Sequence, residues 1–591
     1  MSSETMNDSY LIIDVDNYRT KTVLIERSDG EYGLSGTSEA PTTVDPPDLD
    51  VAIGVENAVR ELGRKLGRQL WEEGQPSKAH RFLCSSSSGG LYMAVAGLIR
   101  SMSAESAERA ALGAGALLMD VFSKDDQRPD YKVVERMRRL RPDMLLLAGG
   151  TDGGAVGQVL DMAGLIDSAD IRPRFGSGYK LPVVYAGNVE IRENVSKTLG
   201  EDRYATRAVE NVRPVLEVEN LGPAREGIYD SYMEHVIIHS PGFDKLAKWV
   251  EGRIIPSQAA MGKILYAYAK EGGINLLAVD VGGETTDVYS VYNGVFNRSL
   301  NAELGMTYSI SNVMKEAGVQ NIMRWMPQEM GEREVRNIVG NIMALQPANP
   351  APEEAMVQRA AAREAIRLGL EQHRDIATRL KGVSVKRTIA DIFDQILSAS
   401  ILDMMNTQAV IGSGRIFTDE RNRGSAALMI LDSVQPEGVT EILVDRSSIL
   451  THLGMLLDSD RDAALRIFSE ECLKRLGTCV APKGTAKEGD AVMTLRMSTA
   501  DGSIAEETVT FGELKALPLG AGESTKIEVR PTRRFDMGAG RGKMLEAEVR
   551  GGENGLIVDA RGRPLVVPEE RKVIAGWTRS MKPLPLVPTP T

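Results

Sequence analysis

The stretch Asp280-Val281-Gly282-Gly283-Glu284-Thr285-Thr286-Asp287 packs two acids at its ends, paired glycines and paired hydroxyls into eight residues. Backbone N–H groups next to glycine meet a phosphate without side-chain obstruction. Carboxylates at such a turn hold Mg²⁺ through water, while threonine hydroxyls bond phosphate oxygens. Asp280 is therefore the predicted metal and catalytic carboxylate. Gly282, Gly283, Thr285, Thr286 and Asp287 are the predicted nucleotide contacts. One glycine turn alone is most often a tight connection after a strand. This chain has at least three more, each directly after an apolar run: Ser85–Gly90, Gly149–Gly154 and Gly187-Asn188.

Other reactive side chains read as structural. Cys84 beside four serines lacks a local histidine and reads as a buried thiol. Cys472 and Cys479, seven apart, match no common zinc spacing, and His235 and His239 lack the intervening glutamate of a zinc-protease helix. Gly540-Arg541-Gly542-Lys543-Met544 has neither the spacing nor the hydroxyl of a Walker motif. Asp152 and Asn188 fit turn capping and the lining of a second pocket equally well.

The elements that must carry these residues follow from periodicity. Buried strands are predicted at 11–15, 21–25, 144–148, 183–186 and 276–280. Helices are predicted from Val55 through Leu70, at 104–118, at 257–271 and at 353–380. The threonine- and proline-bearing stretch 35–47 and the proline-bearing stretch 346–352 read as loops. Alternation of apolar strands with helices indicates a mostly parallel α/β sheet. Beyond Gly477 the texture changes to short strands broken by glycine, and the proline-rich end at 583–591 reads as extended and exposed.

Composition narrows the functions. A net charge of −12 over 591 residues opposes a general polyanion surface, so nucleic acid is not expected as a partner. No apolar run approaches the 18 residues of a membrane span, and the first residues lack the pattern of a signal peptide. Three cysteines are too few for a disulfide framework and fit a reducing cytoplasm.

Taken in order, Ser257-Gln258-Ala259-Ala260-Met261 after Pro256, the Asp280 stretch, and Val410-Ile411-Gly412-Ser413-Gly414 resemble the actin, heat-shock chaperone and sugar-kinase ATPase superfamily. Asp445-Arg446-Ser447 leading to Gly454 is similar to its second connecting helix. The resemblance implies a two-lobed actin-like ATPase fold of class α/β, with tandem ribonuclease-H-like domains and a nucleotide cleft. It implies a first phosphate loop holding Asp14 (catalytic and metal), Thr20 and Lys21, and an adenosine turn at Gly412, Ser413 and Gly414. Longer words, among them Ala107–Gly115, Glu303-Leu304-Gly305-Met306 and Phe535–Gly540, resemble the glutamate mutase L family over about 11–570. That family accompanies adenosylcobalamin-dependent mutases.

The resemblance implies ATP or ADP with Mg²⁺ as ligand and a protein partner, a cobalamin-dependent mutase; the chain has no cobalamin motif of its own. Expected units are 1–80 with phosphate loop 1, an inserted α/β subdomain at 81–250, a second lobe at 251–476, a β-rich domain at 477–572 and a tail at 573–591. Two departures bear on activity. Asp16 replaces a family glycine and puts a negative charge where phosphate is expected, and Ile255 stands where chaperones carry a water-orienting glutamate. The expected function is a nucleotide-binding, reactivase-like chaperone, at most a slow ATPase. An assembly partner with a degenerate nucleotide site is the alternative, and a small-molecule kinase or hydantoinase-like enzyme the third.

Overall fold

The computed structural model describes residues 8–44, 47–77, 79–86, 91–174, 176, 178–237, 241–301, 303–345, 350–378, 400–418, 423–498 and 504–581. Ser87–Gly90, His239 and the proline-rich end at 583–591 lie outside the described residues. The chain forms two compact units, one holding 8–267 and 449–471, the other 268–378, 400–448 and 472–581.

In the first unit, β1 (Ser9–Val15), β2 (Arg19–Ser28) and β3 (Glu31–Pro41) form an antiparallel meander. The small hairpin of β4 (Trp71–Glu72) and β5 (Gln75–Pro76) follows. Next, β6 (His80–Ser85) lies parallel to β1. Ile12, Ile13, Val23 and Ile25 are fully buried, as apolar strands inside a sheet must be. Helix Val51–Leu66 starts at Asp50, whose carboxylate accepts the Ala52 N–H at 3.0 Å, and ends at Gly67 in the left-handed region (φ 68°). The predicted loop at 35–47 is strand as far as Pro41: pairing with β2 satisfies its backbone and outweighs its loop-like composition.

The inserted part carries five parallel strands, β7 (Tyr92–Gly97), β8 (Leu117–Ser123), β9 (Met144–Leu147), β10 (Leu181–Tyr185) and β11 (Tyr204–Ala208), in the order β11-β10-β9-β7-β8. That is a doubly wound arrangement. The predicted helix 104–118 is shorter, Glu105–Gly113, because Leu117 onward pairs with β7 as a strand. β12 (Ile255–Pro256) then joins β6 in parallel and completes the first sheet, β12-β6-β1-β2-β3. Helix Leu450–Leu456 packs on helix Ser257–Gly272 so closely that a Cβ on Gly454 would collide with the Ala260 carbonyl.

The second unit repeats the pattern. β13 (Leu276–Val281), β14 (Thr286–Tyr292) and β15 (Val295–Asn301) form a meander, and β16 (Ala409–Ser413) and β17 (Gly438–Asp445) add in parallel beside β13. Both units thus have the strand order 3-2-1-4-5 with the first three antiparallel. β18 (Leu473–Ala481), β21 (Leu514–Leu517) and β24 (Leu556–Asp559) widen this sheet to eight strands. β19 (Ala491–Ser498), β20 (Ile504–Thr510), β22 (Ser524–Pro531) and β23 (Leu545–Arg550) form a separate four-stranded sheet. Helix Pro352–Ile376 covers the meander.

These units differ from the sequence boundaries. Residues 251–267 and 449–471 group with the first unit, not with the second lobe. The β-rich end is no detached domain, because β18, β21 and β24 hydrogen-bond into the second unit's main sheet. Among the described residues no helix is long and apolar enough to cross a membrane.

Two histidines are locked inside the units in neutral form. His373 lies between the hydroxyls of Ser299 (2.9 Å) and Ser290 (2.8 Å), and His452 faces the Lys21 carbonyl. Burial pulls each down to about 3. In the unfolded chain both take up protons near pH 6.5, so the stability they confer is complete above that pH and declines as pH falls toward 3. The loss is about 5 kcal/mol per histidine at the acid limit. Urea midpoints should therefore fall between pH 7 and 4.5, and His373→Asn should flatten that decline; a midpoint constant over this range would contradict it.

Candidate functional site

The two meanders present equivalent hairpins. In the first, Asp14 is one residue from the end of β1, in register with Lys21 on β2 and Cys84 on β6. In the second, Asp280 is one residue from the end of β13, in register with Asp287 on β14 and Ser413 on β16. The turns close alike: Asp16 N–H donates to the Arg19 carbonyl at 3.0 Å and Gly282 N–H to the Thr285 carbonyl at 2.9 Å. Asp16 therefore occupies the place of Gly282, and Thr20 that of Thr286.

The second turn is held from behind. The Gly282 carbonyl accepts Met306 N–H at 3.0 Å, and the Gly283 carbonyl accepts Thr307 N–H (3.0 Å), Tyr308 N–H (3.1 Å) and the Thr307 hydroxyl (3.1 Å). In a trans peptide the N–H points opposite to the carbonyl. The clasp therefore turns the Gly283 and Glu284 amides to the far side of the loop, side by side. Such paired amides form an anion-binding concavity. A Cβ on Gly305 would collide with the Gly283 carbonyl, and one on Gly283 would reach 2.6 Å from the Thr307 hydroxyl. In the sequence Glu303–Met306 stands only as a family word, and its Gly305 is the available signal for this close approach.

Several predicted contacts have other work. Asp287 is buried and forms an ion pair with the equally buried Arg298, whose Nε and Nη2 donate at 2.9 and 2.6 Å. Burial pushes its carboxyl above the ordinary range, with Arg298 and Thr285 acting against that. The Thr286 hydroxyl donates to the Leu304 carbonyl at 2.5 Å, and the fully buried Thr20 hydroxyl bonds Thr42 at 3.0 Å. These three side chains are buried and brace the hairpins through these bonds, a structural role that the sequence reading did not assign them. Gly412 is likewise a packing residue: a Cβ there would press on Phe417 and Ile430 at 3.1 Å. Gly414 (φ 99°) lies against the Val281 backbone, so the 412–414 turn buttresses the hairpin; Ser413 is buried beside Asp280.

At the first hairpin Asp14 accepts the Ser257 hydroxyl at 2.6 Å and the Cys84 thiol at 3.5 Å. Burial raises its carboxyl above the usual range; Ser257, Cys84, Lys21 and Thr451 oppose the shift. Lys21 and Arg19 both lean on Glu39, at 3.6 and 3.0 Å. Asp16 is exposed, and its carboxylate accepts Asn17 N–H at 2.5 Å and the Ser86 hydroxyl at 3.4 Å. The Cys84 thiol is fully buried and pushed well up, chiefly by burial. In the inserted part Asp152 accepts Asn211 Nδ2 (2.9 Å) and Val189 N–H (3.2 Å), while Asn188 accepts Glu190 N–H (3.0 Å). Both cap turns. Among the described residues no group of three His, Cys, Asp or Glu converges on a metal position.

The doubled 3-2-1-4-5 sheet, with an acid near the end of each first strand, defines an actin-like ATPase fold of tandem ribonuclease-H-like units. The model of the MutL protein family, that of glutamate mutase L, matches residues 10–472, and the chain belongs to this family. Protein MutL of Clostridium tetanomorphum is 28% identical over 493 residues, covering 79% of this chain and all of the relative. Nucleotide-free acetone carboxylase is similar at 12% identity over 85% of this chain and 80% of its own (TM-score 0.34). The diol dehydratase-reactivating factor in nucleotide-free form is similar at 10% identity over 76% and 99% (TM-score 0.29).

Removing half of a buried ion pair leaves an uncompensated charge, at a cost of about 3–5 kcal/mol. Asp287→Ala should lower stability by that amount in a urea melt. Gly414→Ala should cost about 2 kcal/mol or more, because its neighbour is backbone, while Gly412→Ala should cost less, its neighbours being movable side chains. Equal losses at the two glycines would refute this reading of the turn.

Proposed function

We propose that this protein binds an adenine nucleotide with Mg²⁺ and uses it to act on a partner enzyme, an adenosylcobalamin-dependent mutase, as a reactivase-like accessory chaperone. The observation that carries the nucleotide reading is the Gly282–Gly283 turn, whose carbonyls are occupied from behind and whose next amides face outward. Phosphate oxygens would accept these N–H groups, with the Thr285 hydroxyl as a further donor. Asp280, partly exposed at the strand end, fits a magnesium held through water, which keeps much of its own hydration. Bound Mg²⁺ would neutralise phosphate charge; the chain's own groups orient and hold the ligand. In the first unit, Lys21 and Asp14 are the corresponding proposed contacts. Membership of the MutL family supports the accessory role and the choice of partner.

A degenerate-site reading is favoured by Asp16. Its exposed carboxylate stands where the second hairpin has Gly282, and the nearby bases Arg19 and Lys21 are paired with Glu39. Two like charges about 4 Å apart repel by roughly 4 kcal/mol at an effective dielectric near 20, less when solvent screens them. With Ile255 buried on β12, no acid there orients water for fast hydrolysis. Slow turnover, or binding used as a conformational switch, fits this site best.

ATP–Mg²⁺ at 100 times its Kd should stabilise the protein by about 2.7 kcal/mol, read as a rise in Tm. Asp280→Ala should remove most of that rise, and Asp16→Gly should tighten nucleotide at least tenfold. No response in the wild type together with a restored response in Asp16→Gly would favour the degenerate site, and silence in both would end the nucleotide reading. Purification from the native host, with the bound enzyme identified, tests the partner.

A further inference from the structure

The second unit contains a cavity of about 350 Å³ whose lining includes Arg324, Trp325, Arg363, Arg367, Asp432 and Leu565. None of the predicted nucleotide contacts lines it. Its guanidinium groups are held in fixed positions. Arg324 and Arg367 both donate to the fully buried Glu364, at 2.7 and 2.8 Å, and the Trp325 indole N–H donates to the same carboxylate at 2.7 Å. Arg363 donates to Asp432 at 2.7 Å. Arg324 and Arg363 also lie over the Trp325 ring, 5.2 and 5.7 Å from its centroid.

The charges do not cancel. Asp432 also receives Arg561, which shares Asp559 with Arg563. Five arginines (Arg324, Arg363, Arg367, Arg561, Arg563) therefore meet three buried carboxylates (Glu364, Asp432, Asp559), and the exposed Glu371 on Arg367 still leaves one positive charge over. The Nε of Arg324 is buried and has no hydrogen-bond partner among the described residues. A buried donor without an acceptor is costly, and it adds to the unbalanced positive charge of the cluster.

We propose that this cavity is a second ligand site, for a small metabolite carrying a carboxylate or phosphate group. Arg324 and Arg367 form the planar forks that receive the oxyanion, Arg363 supplies background charge, and Leu565 forms an apolar wall for the rest of the ligand. Guanidinium groups suit this work because their paired N–H vectors match two oxygens at once. The volume admits a molecule of metabolite size. The site is independent of the nucleotide reading, since its residues and those of the glycine hairpin do not overlap.

The test titrates the full-length protein with inorganic phosphate and, separately, with succinate, at constant ionic strength against a chloride control. Tm and calorimetric heat are the readouts. At least one probe should give a saturable response, and which one does so identifies the oxyanion. Arg324→Gln and Arg367→Gln should each weaken it tenfold or more. Arg324→Lys keeps the charge but loses Nε and the fork, so it should weaken binding as well and serves if the Gln variants fail to fold. A response no larger than that of chloride overturns the proposal. So does one that survives all three arginine variants.

Discussion

The carbonyls of Gly282 and Gly283 are the constraint on which the candidate site depends. Each is bonded to the segment Met306–Tyr308, and planarity of the trans peptide then fixes where the following N–H groups point. No side chain is needed to aim those donors. The arrangement instead demands space behind the loop, which is why Gly305 tolerates no Cβ and Gly283 almost none. Around this clasp the buried Asp287–Arg298 pair joins β14 to β15, and the 412–414 turn braces Val281. The glycines and the buried pair serve one purpose, a loop with preset backbone donors.

The same turn is built twice with different chemistry. Both hairpins close by the same backbone bond, yet one carries glycines and the other Asp16, Asn17 and Tyr18. Backbone geometry is thus retained while the electrostatics are changed. Register pairs Asp280 with Asp287, which Arg298 neutralises, but pairs Asp14 with Lys21, which leans on Glu39. Asp14 and Asp280 are both partly exposed at their strand ends; Asp14 accepts from Ser257 and Cys84, and burial raises its carboxyl above the usual range. A fold repeated in tandem has therefore produced two hairpins with the same backbone closure and different charge.

Much of the architecture was legible in the residues. Apolar runs such as Leu276–Val279 read as buried strands, and the order of the glycine turns pointed to the doubled fold. Errors came where pairing outweighed composition. Residues 35–41 look like loop but are strand because β2 offers them partners, and Leu117 leaves its helical pattern to pair with β7. The β-rich end looked separate because its periodicity changes at Gly477, yet β18 runs through that point into the second unit's sheet. Local texture does not reveal which distant strand will satisfy an edge.

By itself the sequence determined the class of fold, the two acid-bearing hairpins and the charge of Asp16, because hydrophobic period and turn chemistry are local properties. Only the tertiary structure decided which polar groups stay open to a ligand. Thr20, Thr286 and Asp287 read as ligands in the sequence, and the fold gives them Thr42, Leu304 and Arg298 as partners. Arg324, Arg363 and Arg367 belong to no local motif but line one cavity. The reason is physical: burial and hydrogen-bond satisfaction depend on neighbours far apart in the chain, and no local pattern encodes them.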